Sequence, residues 1–113
     1  PNLFTVTGPG SPSVLTNMIV AIEQHVEWIS DCIAHMRAHD YGCIEATIDA
    51  QSAWVEHVNK VADGTLYPTC TSWYLGANIP GKPRVFMPLP GFPPYVEKCE
   101  QVAANDYEGF VLS

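Results

Sequence analysis

Imidazoles, thiols and one glycine turn are the groups in this chain with chemistry to offer. His35 and His39 stand four apart, which puts both rings on one face of a helix and can hold a metal ion. No carboxylate or third ligand stands at a matching interval, so the spacing assigns no metal site. Cys32, Cys43, Cys70 and Cys99 form no C-x-x-C pair and sit in no local Cys–His signature. They read as free thiols in a reducing compartment. A G-x-S-x-G elbow is absent, and so are both phosphate fingerprints, G-x-G-x-x-G and G-x-x-x-x-G-K-[ST]. Gly8-Pro9-Gly10 opens like a phosphate loop, but no glycine follows at the required place and Pro9 lacks a backbone donor. No catalytic residue is assigned.

Two segments remain. Ser13-Val14-Leu15-Thr16-Asn17 leads from a Gly/Pro turn into a long helical pattern. The first turn of a helix presents unpaired N–H groups and about half a positive charge, which favours an anion or a group developing negative charge. The plain alternative is an ordinary strand-to-helix connection capped by Ser or Asn. The second segment runs from Ser72 to Pro83 and places Trp73-Tyr74 in Gly/Pro-rich surroundings with Lys82. Either these aromatics pack onto the domain, or the segment is a mobile loop with an aromatic lid.

The elements that must position these residues follow from periodicity. Leu3–Thr7 reads as a strand. A helix is expected over about Val14 to His39, with an apolar stripe of Leu15, Met18, Ile19, Ile22, Val26, Ile29, Ile33 and Met36. Asp40-Tyr41-Gly42 stops it, with Gly42 available for a left-handed cap. A second helix, about Ile48 to Ala62, has Thr47 as N-cap and Asp49 in its first turn. Residues 65–95 are irregular, proline-rich and contain the candidate mobile loop. A helix from about Tyr95 to Ala104 and a strand from Gly109 to Leu112 close the chain. The expected architecture is α+β and mostly helical. Two main antiparallel helices pack through the Leu15–Met36 stripe and the Trp54 face, with short edge strands.

Length and composition bound the partners. The chain has 113 residues, enough for one unit spanning 1–113. It starts at Pro1 with a strand lacking an evident partner, so a piece of a longer chain is expected. Net charge is −7, and the five basic residues are scattered, which argues against nucleic acid and against an anionic membrane surface. No apolar run approaches the ~20 residues of a membrane helix.

Phe4-Thr5-Val6-Thr7-Gly8-Pro9-Gly10-Ser11-Pro12-Ser13-Val14-Leu15-Thr16-Asn17-Met18, followed by Ile22-Glu23-Gln24-His25-Val26-Glu27-Trp28-Ile29, resembles the C-terminal part of the FAD domain of Baeyer–Villiger monooxygenases. Within that family the phenylacetone/cyclohexanone group is the nearest match. Ser72 to Lys82 resembles its mobile loop, and Val102 to Phe110 its C-terminal end. The resemblance implies a cytoplasmic flavoprotein that uses FAD, NADPH and O2 to convert a small ketone to an ester or lactone. Its FAD and NADP domains would lie upstream in the same chain, with a Rossmann-like fold to which this segment adds. It implies cofactor-side roles for Thr16, Asn17, Met18 and Trp73, and substrate-pocket roles for Ser13, Val14, Leu15 and Met87. Pro88-Leu89-Pro90-Gly91-Phe92-Pro93-Pro94 departs from the family pattern, in which a Gly-Gly pair and a basic residue are expected. The competing expectation is a stand-alone, non-catalytic α+β domain that pairs with a partner chain.

Overall fold

A computed structural model describes residues 1–13, 16–82 and 88–113. It is α+β: three helices and one small antiparallel sheet. In chain order these are α1 (Met18–Ala38), β1 (Ile44–Ala46), α2 (Ile48–Asp63), two single-turn 3-10 helices (Tyr67–Thr69 and Trp73–Leu75), α3 (Phe92–Ala104) and β2 (Phe110–Leu112). The strands pair as Ile44↔Leu112, Glu45↔Val111 and Ala46↔Phe110.

Local chemistry sets the helix ends. Asn17 caps α1, its side chain accepting from the Ile19 amide at 3.1 Å. The helix therefore starts at Met18, four residues later than the apolar pattern placed it. At the other end Tyr41 N–H donates to Met36 O at 2.9 Å and Asp40 N–H to Arg37 O at 3.4 Å, a Schellman closure. The left-handed residue is Asp40, with φ 57°, and not Gly42. Counting from the last helical residue puts the cap at position 40, and a short polar side chain tolerates that conformation. Thr47 caps α2 as expected, accepting from Ala50 N at 3.2 Å. In α3 the first turn takes in Pro93 and Pro94, whose missing N–H groups would be unpaired there in any case. That extends α3 three residues upstream of Tyr95.

The N-terminal segment 3–7 is not a strand. Asn2 supplies the hydrogen bonds to the sheet edge: its N–H donates to Ile44 O at 2.9 Å, its Oδ1 accepts from Ile44 N at 2.9 Å and its Nδ2 donates to Gly42 O at 3.1 Å. No ladder follows it, and Phe4 adds a packing contact.

The helix packing also differs from expectation. α1 packs on α3, and α2 packs on the 3-10 turn that follows it. The buried face of α1 is Ala21, His25, Cys32 and Met36, with Trp28 half-buried among them. Met18, Ile19, Val26 and Ile33 are exposed, Ile19 at 65%. Relative to the expected stripe, the buried face is rotated by roughly 80° about the helix axis. Small residues explain the choice. Cys32 lets Ala103 of α3 approach closely, and Trp28 Nε1 donates to Cys99 O at 3.0 Å across the contact.

Two apolar clusters result. One gathers Cys32, Met36, Ile44 and Tyr107 with Phe4, Trp28, Ala103, Phe110 and Leu112. The other gathers Val58, Ala62, Leu75 and Leu89 with Trp54, Val61, Tyr67, Tyr74 and Tyr95. The molecule is a slab, 47 × 29 × 19 Å, with a radius of gyration of 15.1 Å. A compact chain of this length would have about 13 Å. Its accessible surface is 7373 Å², against about 6,100 Å² for a compact monomer of this mass.

The rotated face makes a direct prediction. Ala21→Leu overpacks the buried face of α1 and lowers the stability of the chain by about 1–3 kcal/mol. Ile19→Ser, on the exposed face, changes it by no more than about 0.5 kcal/mol. Urea unfolding of the two variants checks this, and the opposite ranking would restore the expected stripe.

Candidate functional site

The turn before α1 is held at several points. Thr7 has φ 52°, a left-handed conformation that a β-branched residue rarely takes. Its N–H donates to His25 Nδ1 at 3.0 Å. Gly8 follows, where an added Cβ would collide with the Thr5 side chain. Ser11 closes the turn on Gly8 O, through its amide at 3.2 Å and its hydroxyl at 2.7 Å. Gly10, with φ 78°, lies against the indole of Trp54, whose Nε1 donates to Gly10 O at 3.0 Å. Leu89 N–H donates to Ser11 O at 3.0 Å, and Pro12 and Pro88 are fully buried beside it.

From this turn the chain runs to the start of α1. Thr16 is half-buried, its amide donating to Ser13 O at 3.2 Å, and Asn17 and Met18 are exposed. The first turn of α1 contains no acidic residue, whereas that of α2 carries Asp49. The positive end of the α1 dipole is therefore not offset by its own sequence. Ser13 is half-buried at the same place; Val14, Leu15 and Met87 lie outside the described residues.

Trp73 is presented separately. It sits on the second 3-10 turn, capped by Ser72, whose Oγ accepts from Tyr74 N at 3.2 Å. Leu75 is buried and Tyr74 half-buried, so they hold the turn to the α2 cluster. Trp73 points away, 63% exposed, its ring 4.0 Å from that of Tyr74. Gly76 ends the turn with φ 69°, and a Cβ there would press on the Lys82 side chain at 3.3 Å.

Beneath the turn, three rings meet. His25 lies edge-to-face with Tyr95 at 5.4 Å, and Tyr95 is 6.1 Å from Trp54. Burial lowers the His25 pKa. Because Nδ1 accepts from Thr7, the neutral ring carries its proton on Nε2. Burial also pushes the Tyr95 hydroxyl and the Cys99 thiol up; the nearby Cys99 adds to the shift on Tyr95. Tyr107, beside Cys32 in the other cluster, is raised to about 12, chiefly by burial. The sequence pattern gave no sign of His25 and Trp54 as pins of this turn. The available signal was a histidine and a tryptophan on otherwise apolar helix faces.

His35 and His39 do lie together, ring centroids 4.2 Å apart, with His39 Nδ1 2.8 Å from His35 O. Among the described residues no group of three or more metal-ligating side chains occurs, and no helix is long and apolar enough to cross a membrane. All four cysteines are free thiols.

No family model matches the chain. Individual proteins do. An acetone monooxygenase (methyl acetate-forming) of Gordonia sp. (strain TY-5) is 42% identical over 115 residues, covering 100% of this chain and 22% of its own length. A Baeyer–Villiger monooxygenase of Pseudooceanicola batsensis is 44% identical over 77% of this chain and 16% of its own. Among solved structures, an oxidized steroid monooxygenase bound to NADP superposes with a TM-score of 0.86 at 44% identity, over 96% of this chain and 20% of that one. An OTEMO complex with FAD and NADP gives 0.86 at 31% identity, over 99% and 20%. The chain thus spans about a fifth of the length of the proteins it matches.

The buried imidazole sets a pH dependence. Burial lowers the His25 pKa in the folded chain below the 6.5 of the unfolded one. Stability is then full above that pH and falls as pH drops through it, until the folded-state ring also protonates. His25→Asn keeps an acceptor for Thr7 and removes the titration. Thermal melting across about pH 7.5 to 5.5 should show a shallower loss for the variant than for the natural chain. Parallel curves would remove His25 as the cause.

Proposed function

The chain belongs to the Baeyer–Villiger monooxygenase family, and we propose that it is the C-terminal part of an FAD- and NADPH-dependent enzyme converting small ketones to esters or lactones with O2. The observation that carries the proposal is a match over the whole chain, in sequence and in fold, to about a fifth of such enzymes. Its partners are the upstream FAD and NADP domains of the same polypeptide, the whole being cytoplasmic. Residues 1–113 form one unit that adds to a Rossmann-like FAD domain, and residues 65–95 hold its mobile loop. The slab shape, the ~1,200 Å² of surface beyond that of a compact monomer and the apolar outer face of α1 support a piece built to be covered. The same features disfavour a stand-alone, non-catalytic domain.

The residues fit the cofactors in kind. When bound, the flavin supplies the redox chemistry with O2. The start of α1 around Thr16, Asn17 and Met18 offers backbone N–H groups and an acid-free first turn, which favour negative charge nearby. Ser13, Val14, Leu15 and Met87 are assigned to the ketone pocket. Trp73 offers an exposed aromatic face on a short anchored turn, suited to stacking on a nicotinamide or excluding water when the loop closes. NADPH would meet the chain there. None of these residues carries out proton transfer or nucleophilic attack; their work is binding and orientation.

Two outcomes test the reading. The 113-residue chain alone neither retains FAD nor oxidises NADPH; a yellow, FAD-loaded preparation of it would overturn the division of labour. In the complete enzyme, Trp73→Ala lowers NADPH-dependent turnover about tenfold or more, while stability changes by less than about 1 kcal/mol. An unchanged rate with a large loss of melting temperature would make Trp73 a packing residue.

A further inference from the structure

We propose that His25 is a positioning residue for the turn that leads to the flavin-side start of α1, acting with Trp54 as a two-point clamp on residues 7–12. The proposal rests on the reading of that helix start given above. Thr7 is held in a left-handed conformation that its branched side chain disfavours, with its amide turned inward to His25 Nδ1 at 3.0 Å. His25 is only 5% exposed, and its Nε2 is buried without a partner among the described residues. The polar contact that the imidazole makes is therefore with the turn, and its other nitrogen does not compete for that contact.

The second point lies three residues on. Trp54 Nε1 donates to Gly10 O at 3.0 Å, and the indole sits where a Cβ on Gly10 would reach it at 3.0 Å. Tyr95 of α3 stands between the two rings, 5.4 Å from His25 and 6.1 Å from Trp54. Each helix thus contributes one ring: His25 and Trp54 contact the turn, and Tyr95 contacts both of them. Gly8 leaves no room for an alternative side chain, and Leu89 N–H fixes Ser11 O from the far side. The turn is defined at Thr7, Gly10 and Ser11, shortly before the helix start at Thr16, Asn17 and Met18. Loss of the Thr7 contact would let the strained residue relax and shift the turn.

The test compares the complete FAD-loaded enzyme with its His25→Phe and His25→Asn variants. Phe keeps a ring against Tyr95 but has no acceptor; Asn keeps an acceptor near the Nδ1 position. Amide hydrogen exchange in residues 5–12 should rise about tenfold in the Phe variant and return to within about twofold of the natural enzyme in the Asn variant. The visible circular dichroism of the bound flavin should change with the first and recover with the second. Unchanged exchange in the Phe variant, or faster exchange with an unchanged flavin spectrum, overturns the proposal; so does an equal change in both variants spread over the whole chain. If the Phe variant does not fold, Trp54→Phe removes the donor to Gly10 and is read the same way. A natural enzyme that holds no FAD would sink the helix-start reading instead, and the exchange comparison would still decide the clamp.

Discussion

The hydrogen bond from the Thr7 amide to His25 is the contact on which the arrangement of this molecule turns. It joins the segment before α1 to the buried face of that helix, at the place where Tyr95 of α3 and Trp54 of α2 also meet. Trp54 and Tyr95 belong to one apolar cluster, and Trp28, three residues beyond His25 on α1, belongs to the other. The ring trio is therefore the seam between two small cores, neither of which is large enough to organise 113 residues alone. A polar contact at such a seam sets direction as well as adhesion. Apolar surfaces can slide by a fraction of a residue, whereas an imidazole nitrogen accepts from one amide in one geometry.

The same helix explains why the unit is open on one side. α1 is apolar around more than half its circumference. One face, lined by Ala21, His25, Cys32 and Met36, is used within this unit. The neighbouring face, with Met18, Ile19, Val26 and Ile33, is left to solvent here. A helix hydrophobic on two sides belongs in the interior of a body larger than the one described. The excess accessible surface and the slab-like extents express the same imbalance in area and in shape.

Much of the fold was legible because its signals are local. The Thr47 cap, the second helix, the last strand and the stop after His39 depend on residues within one turn of each other, and all four appear close to the expected positions. The failures are those in which distant residues decide. Periodicity located an apolar stripe on α1 but could not tell which of two adjacent faces meets α3, because that depends on the small volume of Cys32 beside Ala103 and on Trp28 reaching Cys99 O. The expected strand at Leu3–Thr7 has a strand-like composition, yet the hydrogen bonds to the sheet edge come from Asn2. The prolines at 93 and 94 looked like breakers and instead occupy a first turn, where their missing donors cost nothing. The sequence pattern marked Asn17 as a possible cap of α1, and it is one. His25 and Trp54 were not marked, since a histidine or tryptophan on an apolar face carries no local mark of the carbonyl or amide it will meet.

Trp73 stands exposed on a turn whose other apolar residues are packed. A tryptophan left 63% exposed forgoes most of the burial free energy that a ring of its size commands, roughly 2–3 kcal/mol at full burial. Leu75 and Tyr74, on the same short turn, both pack on the α2 cluster, and Gly76 in its left-handed conformation ends the turn. Buried neighbours hold one side of the turn, and the exposed ring projects from the other. The proposed contact with a planar ligand rests on that anchored, uncovered aromatic face. Gly76 is integral to it: a side chain there would be strained at φ 69° and would press on Lys82, so the turn and the Lys82 stem that packs against it form one unit.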